Sequence, residues 1–333
     1  MSELISKKRS TIMGLCICII MLYHHSLFHI IPGHCFGCLG VDIFLFVSGF
    51  GLYYALQKST QNKQPLLLFY KRRFMRIMPA AIIAGILLRW NFRLDSIGSW
   101  LNFTGLGLWY IRTLLILYLL SPLFYYIIIK KKKIYILLFI TLCAIGVSAL
   151  TPTVFESVFT IESMTVNWTL ARTPAFLLGM LLPHMETHGR NSILHSKWYT
   201  ACSIFSCGLA ACLIVIFTYT PLTPLWNAFS LYFGWLTFAL CLPWLCTLTA
   251  KGISHLPAKI QSIFHWMGVR SLEIYVCHEA IYGITRKLIP AQNTVMYLVQ
   301  GTCMIVLSII AAILLHMLCN LFPINKKKVT AGT

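Results

Sequence analysis

Charge is what this chain has least of. Charged residues fill 11% of its 333 positions, where soluble domains carry roughly 25%. Acidic residues are scarcest, eight Asp and Glu against 27 Lys and Arg. Hydrophobic residues reach 58% and the mean hydropathy is +0.78, which excludes an ordinary soluble fold. The segment 1–31 lacks a small-residue cleavage site and is followed at once by further apolar runs, which argues against a cleaved signal peptide. No loop exceeds about twenty residues, so there is no room for a separate soluble domain. No internal repeat relates the two halves, which disfavours a transporter of inverted repeats. Heptads and low-complexity segments are lacking too.

What remains is a succession of apolar runs near the length that spans a bilayer. Ten spans are expected, at 12–31, 39–56, 77–93, 106–129, 134–150, 168–183, 198–217, 225–248, 263–284 and 294–322. The expected fold is therefore an all-α polytopic membrane protein, a single domain over 1–333. The net charge of +19 would point to nucleic acid in a soluble protein. Here the basic residues gather in alternate short loops: Lys7 to Arg9, Lys58 to Arg76, Lys130 to Lys133, Arg190 and Lys197, Lys251 and Lys259, and Lys326 to Lys328. The loop 151–167 holds Glu156 and Glu162 with no Lys or Arg. This asymmetry places both termini in the cytoplasm and makes the membrane, rather than nucleic acid, the partner of the charge.

Thirteen Cys lie mostly within apolar runs, where cysteine acts as a small hydrophobe. Cys35 and Cys38 beside His34 have half the spacing of a zinc site, and no second half follows. No metal is expected.

Chemistry must then come from ionisable groups inside the bundle, where each is costly without a purpose. At 1.5 Å per residue His24 lies ~18 Å from the cytoplasmic edge, Asp42 ~21 Å and His278 ~22 Å. Three groups from three spans thus share one depth, and a carboxylate beside an imidazole fixes its tautomer and raises its basicity. His24, Asp42 and His278 are the expected catalytic residues. His25 competes with His24; adjacent helical residues point about 100° apart, and the sequence does not choose between them. Arg73 and Arg76 are three apart on one helical face next to Arg72, and arginine holds phosphate bidentately. Ser271, Tyr275 and His278 form one stripe of the ninth span. Glu273 points elsewhere and needs a cation, with Arg112 and Arg172 as the candidates.

Taken together these residues resemble the membrane-bound acyltransferase-3 family, which includes bacterial O-acetylases of surface glycans. The likeness runs through Tyr23-His24, Gly40-Val41-Asp42 with Ser48-Gly49-Phe50, and Arg73-Phe74-Met75-Arg76-Ile77 with Pro79. It continues through Leu108-Trp109-Tyr110 with Tyr118 and Pro122, then Phe176-Leu177-Leu178-Gly179, and Ser271-Leu272-Glu273-Ile274-Tyr275 with His278. The resemblance implies a cytoplasmic acyl donor, usually acyl-CoA and most simply acetyl-CoA. It also implies an acceptor hydroxyl on a surface or lipid-linked glycan, in a bacterial inner membrane. By it, His24 matches the catalytic histidine, and Arg73 and Arg76 match the required arginine pair. Arg72 and Arg9 are expected to join them at the donor, with Ser271, Tyr275 and Trp109 at the substrate.

Two positions depart from the family. Met13 stands where a basic residue is usual, with Arg9 one turn before it on nearly the same face. Leu114 stands where many members carry a glutamate. The form Trp109-Tyr110-Ile111 resembles the branch with no appended soluble domain. The competing reading is a transporter or flippase for a lipid-linked saccharide or small anion, which would also use intramembrane His and Asp and a basic mouth.

Overall fold

In lipid every backbone polar group must be satisfied within its own segment, and the computed structural model is accordingly built of helices, with no strand among the described residues. The structure describes residues 1–25, 37, 39–89, 108–130, 163–188, 194–219 and 224–321. Ten helices lie within them: α1 (Ser2–Tyr23), α2 (Leu39–Gln61), α3 (Leu66–Arg89), α4 (Trp109–Ile129), α5 (Ser163–Thr187), α6 (Lys197–Tyr219), α7 (Pro224–Ser254), α8 (Ala258–Val269), α9 (Ser271–Leu288) and α10 (Thr294–Leu321). Five of them are long and apolar enough to cross a membrane: Leu39–Gln61, Trp109–Ile129, Lys197–Ile216, Phe233–Ser254 and Thr294–Cys319. The expected span at 134–150 and the Cys35/Cys38 pair lie outside the described residues.

Two expected boundaries change. The third span was expected to begin after the basic run, but α3 begins at Leu66 and carries Arg72, Arg73 and Arg76 within the helix. Their phase is thereby fixed relative to the apolar face. The ninth span, 263–284, is not one helix. It breaks at Arg270, whose backbone (φ −104°, ψ 13°) ends α8 and opens α9. The Arg270 side chain turns back over the Trp266 ring, 4.6 Å from its centroid.

Small residues let the backbones meet, as is usual for helices that pack within a bilayer. The α2–α5 crossing is reciprocal. A Cβ on Gly49 would lie 2.1 Å from the Phe176 carbonyl oxygen, and one on Gly179 would lie 2.0 Å from that of Phe46. Gly14 and Gly268 serve the α1–α8 crossing in the same way, against the carbonyls of Phe264 and Ser10. The start of α1 is closed onto the last turn of α5 by Glu186, which accepts the Met1 amine at 2.9 Å and the Ser2 N–H at 3.0 Å. A carboxylate there also complements the positive end of the helix. α2 is the most enclosed of the five apolar helices, whereas α6 and α10 present most of their surface outward.

The crossings predict an asymmetry among glycines. Gly49→Ala should destabilise the purified protein by about 1–3 kcal/mol, the range for overpacking a filled site. Gly208→Ala, in α6 with nothing near its added methyl, should be neutral or stabilise by up to about 1 kcal/mol. Thermal unfolding of the two variants side by side measures the difference.

Candidate active site

α1 ends at Tyr23, and His24 is its C-cap (φ −85°, ψ −4°). Its Nδ1 lies 3.0 Å from the Ile20 carbonyl oxygen and 3.3 Å from Nε2 of His278. His278 is fully buried on α9, with Nδ1 2.5 Å from the Tyr275 carbonyl oxygen. A carbonyl can only accept, so each Nδ1 carries the proton. His278 Nε2 is then a lone pair that accepts from His24, and His24 Nε2 is left as the exposed base. His24 Nε2 faces Glu279, whose carboxylate lies 3.7 Å away and 3.8 Å from His278 Nε2. His24 and Glu279 keep 21% and 24% of their side-chain surface open, so the pair is reachable. Tyr282 faces the His24 ring edge-on at 5.6 Å.

His25 turns the other way. It is buried against α10, its ring filling the space that a Cβ on Gly301 would need. The end of α1 thus sends the two histidines, undecided in the sequence, to different neighbours, His24 to α9 and His25 to α10.

Asp42 was expected beside an imidazole, and its partner is instead Arg172 of α5, with Nη1 2.5 Å from Oδ2. Both side chains are shut from solvent. The guanidinium lies over Trp235 at 4.2 Å and over Trp109 at 5.1 Å. A buried carboxylate needs a full opposite charge and good geometry, and Arg172 supplies both. Trp109, expected at the substrate, packs on this ion pair. Glu273 likewise pairs with neither Arg112 nor Arg172 in its observed ion pair; His316 of α10 lies 2.9 Å from its carboxylate.

Beside the histidine pair is a cleft of about 550 Å³ that opens to solvent. Arg9 of α1 and Arg73 and Arg76 of α3 line it, with Tyr110 and Tyr118 of α4 and Ser271 and Tyr275 of α9. Among the described residues, no carboxylate lines it. Arg9 fits into the notch left by Gly51, its guanidinium carbon 2.5 Å from where a Cβ would sit. The Nε atoms of Arg9 and Arg73 are buried with no hydrogen-bond partner among the described residues. Met13 and Leu114, the two departures from the family pattern, both line this cleft. Arg72 does not: it points outward and bonds Gln64 at 3.0 Å. The step of about 100° between neighbouring helical residues separates it from Arg73.

Tyr275 joins the two regions. Its ring lies 5.2 Å from that of His278 and 4.8 Å from that of Tyr110, and its hydroxyl is buried with no hydrogen-bond partner among the described residues. One side of the residue lines the cationic cleft, and its carbonyl holds the histidine that orients His24.

Sequence reasoning missed Glu279 and the role of Arg172. Glu279 was legible in one respect, since it adjoins His278 on a helix whose other face is apolar.

Neither a curated protein nor a solved structure matches the chain. A family model does: the acyltransferase domain of the acyltransferase-3 family matches residues 13–317, nearly the whole length. This sets the transporter reading aside. The chain belongs to the acyltransferase-3 family and is a membrane acyltransferase.

Proposed function

We propose that this acyltransferase moves an acyl group, most simply acetyl, from cytoplasmic acyl-CoA to a hydroxyl of a surface or lipid-linked glycan in a bacterial inner membrane. The proposal includes ten spans with both termini in the cytoplasm, as the distribution of basic residues indicates. The observation that carries it is the cleft with three guanidiniums and, among the described residues, no carboxylate, ending at a tyrosine that touches the histidine pair. Three cations without a counter-charge fit a ligand with several phosphate charges, and coenzyme A is such a ligand. Its thin arm suits a path from the arginines past Tyr275.

The reaction follows from the tautomer. His24 Nε2 takes the proton of the acceptor hydroxyl as the oxygen attacks the thioester carbonyl. The tetrahedral oxyanion that results accepts a hydrogen bond from the Tyr275 hydroxyl, which has no other partner. The C–S bond then breaks, the acyl ester is complete, and the coenzyme A thiolate recovers the proton from the His24 imidazolium. Glu279 stabilises that imidazolium across 3.7 Å, and His278 holds the ring in register through Nδ1.

His24→Ala should lower transfer by about 10²–10⁴-fold, the usual worth of a general base, at normal membrane abundance. His25→Ala should instead lower abundance or stability, because it empties the space beside Gly301, and should keep most activity per molecule. Transfer in proteoliposomes, normalised to protein, tests both; equal loss per molecule in the two variants would overturn the assignment to His24.

Arg73→Ala and Arg76→Ala should raise the KM for acyl-CoA, with Lys restoring only part because it lacks the bidentate fork. Arg72→Ala should leave KM unchanged. Arg9→Ala should act like the cleft variants, and adding Met13→Arg should recover part of the loss, since the two positions are one turn apart. A silent Arg9→Ala would leave Met13 as a gap in the donor site.

Tyr275→Phe should reduce kcat by about 10²–10³-fold, as loss of an oxyanion donor does, with little change in donor KM. An unchanged kcat would remove Tyr275 from the reaction. Mass spectrometry of surface glycans from a deletion strain identifies the acceptor.

A further inference from the structure

The general-base reading uses the Nε2 lone pair of His24, but three ligand atoms meet there. One atom each from His24, His278 and Glu279 can be chosen so that all lie within 4.8 Å of one another. Glu279 Oε1 is 3.7 Å from His24 Nε2 and 3.8 Å from His278 Nε2. A tetrahedral ion bound at about 2.0–2.2 Å to nitrogen and oxygen needs ligand separations of ~3.4 Å. The two carboxylate–imidazole separations would close by a few tenths of an ångström, and the two ring nitrogens, within 4.8 Å of each other, by up to about 1.4 Å to reach that spacing, a movement taken up by the partly open His24 and Glu279.

We propose that His24, His278 and Glu279 form a binding site for a divalent transition metal, Zn²⁺ best, and that its occupation silences His24 as a base. The second half of this statement rests on the proposed role of His24; the first half does not.

Three features support the site. Two imidazoles and one carboxylate are a known zinc set that leaves a fourth position for water. Each ring has its Nδ1 bonded to a backbone carbonyl, Ile20 for His24 and Tyr275 for His278. That is the outer arrangement which holds a ligating histidine with Nε2 forward. A single carboxylate with two imidazoles disfavours Mg²⁺ and Ca²⁺, which want oxygen ligands. The ion would replace the hydrogen bond between the two rings, since it takes the His278 lone pair that now faces His24. His24 Nδ1–H keeps the Ile20 carbonyl.

No covalent or redox step is involved. The metal and the proton compete for one lone pair on His24, so binding weakens in acid and transfer stops while the ion is bound. Two helices, α1 and α9, supply the ligands, and two of the three side chains are partly open, so the ion can enter and leave without unfolding the bundle.

The test uses the full-length protein in detergent, stripped with chelator. Co²⁺ serves as the probe because a tetrahedral site shows strong visible d–d bands. One Co²⁺ per chain is expected, displaced by Zn²⁺, with no near-ultraviolet sulfur band, which excludes the chain's cysteines as ligands. His278→Ala and Glu279→Gln should each weaken binding by at least about 100-fold, the upper end of the loss from removing even a supporting partner. Glu279→Asp should keep the bands at lower affinity and shows that the site, not the fold, is at issue.

In the second arm Zn²⁺ is added to active proteoliposomes, where transfer should fall as the site fills and return with EDTA. Absence of the bands, or bands unchanged in all three variants, overturns the site. Binding without inhibition overturns the silencing, as does activity that is lost on chelation and restored by Zn²⁺. The His24→Ala transfer assay in metal-free buffer judges the base independently of either arm.

Discussion

The ion pair between Arg172 and Asp42 has no access to solvent, and much of the bundle is arranged around it. It ties α5 to α2, and the same guanidinium lies on Trp109 of α4 and Trp235 of α7, so one cation holds four helices. Burying two charges costs several kcal/mol per ion, and removing either partner of such a pair typically costs about 3–5 kcal/mol because the other is stranded. The aromatic faces offset part of that desolvation. The carboxylate thereby ties α2, whose Phe44 and Ser48 line the cleft, to α5. The reciprocal glycines Gly49 and Gly179 act on the same pair of helices, and they bring the backbones close enough for the short Asp42 side chain to reach its partner.

The cationic cleft is the opposite kind of electrostatics. Arg9, Arg73 and Arg76 share one space with no carboxylate among the described residues, so they repel one another in the free protein. Some of the cost is met locally: the Arg73 guanidinium lies 5.6 Å from the Phe69 ring, and Arg9 rests in the notch at Gly51. A polyanion that entered would relieve three repulsions while making its own bonds, and that is the basis of the proposed donor site. Arg172 has a carboxylate partner in Asp42, and among the described residues no carboxylate lines the cleft beside these three. Both arrangements place arginine in a membrane bundle; the difference is whether a carboxylate is supplied.

The helical membrane class, the basic cluster and the shared depth of His24 and His278 could all be read in the sequence, because hydropathy and residue type along one dimension decide them. Arg9 and Arg73, grouped there because one turn or one helix face is a local property, line one cleft. What depends on rotation about a helix axis was not legible. Equal depth put Asp42 with the imidazoles, but depth says nothing about azimuth, and α2 turns Asp42 toward α5. Arg72 and Arg73 differ by one position and end on different faces. The break at Arg270 was hidden by a continuous apolar run, since Gly268 there serves a helix crossing and gives no loop signal. His24 against His25 could not be decided by the 100° rule, because the helix ends at Tyr23 and the rule ends with it.

The position of His24 at that helix end explains how one residue can meet conflicting demands. Inside a helix its backbone would be fixed and its ring confined to one face of α1. As a C-cap it can bond its Nδ1 back to Ile20 while the ring reaches α9, and so its basic nitrogen is set by two elements at once. The same convergence brings Glu279 within 3.7 Å, which stabilises a cation at that point whether the cation is a proton or a metal. The features that would stabilise an imidazolium in a bilayer are close to those of a metal site, since both call for a carboxylate and an oriented nitrogen within a few ångströms. The discrimination between them rests on the second imidazole: His278 stabilises neutral His24 by accepting its Nδ1 proton, and must give up that bond before it can ligate.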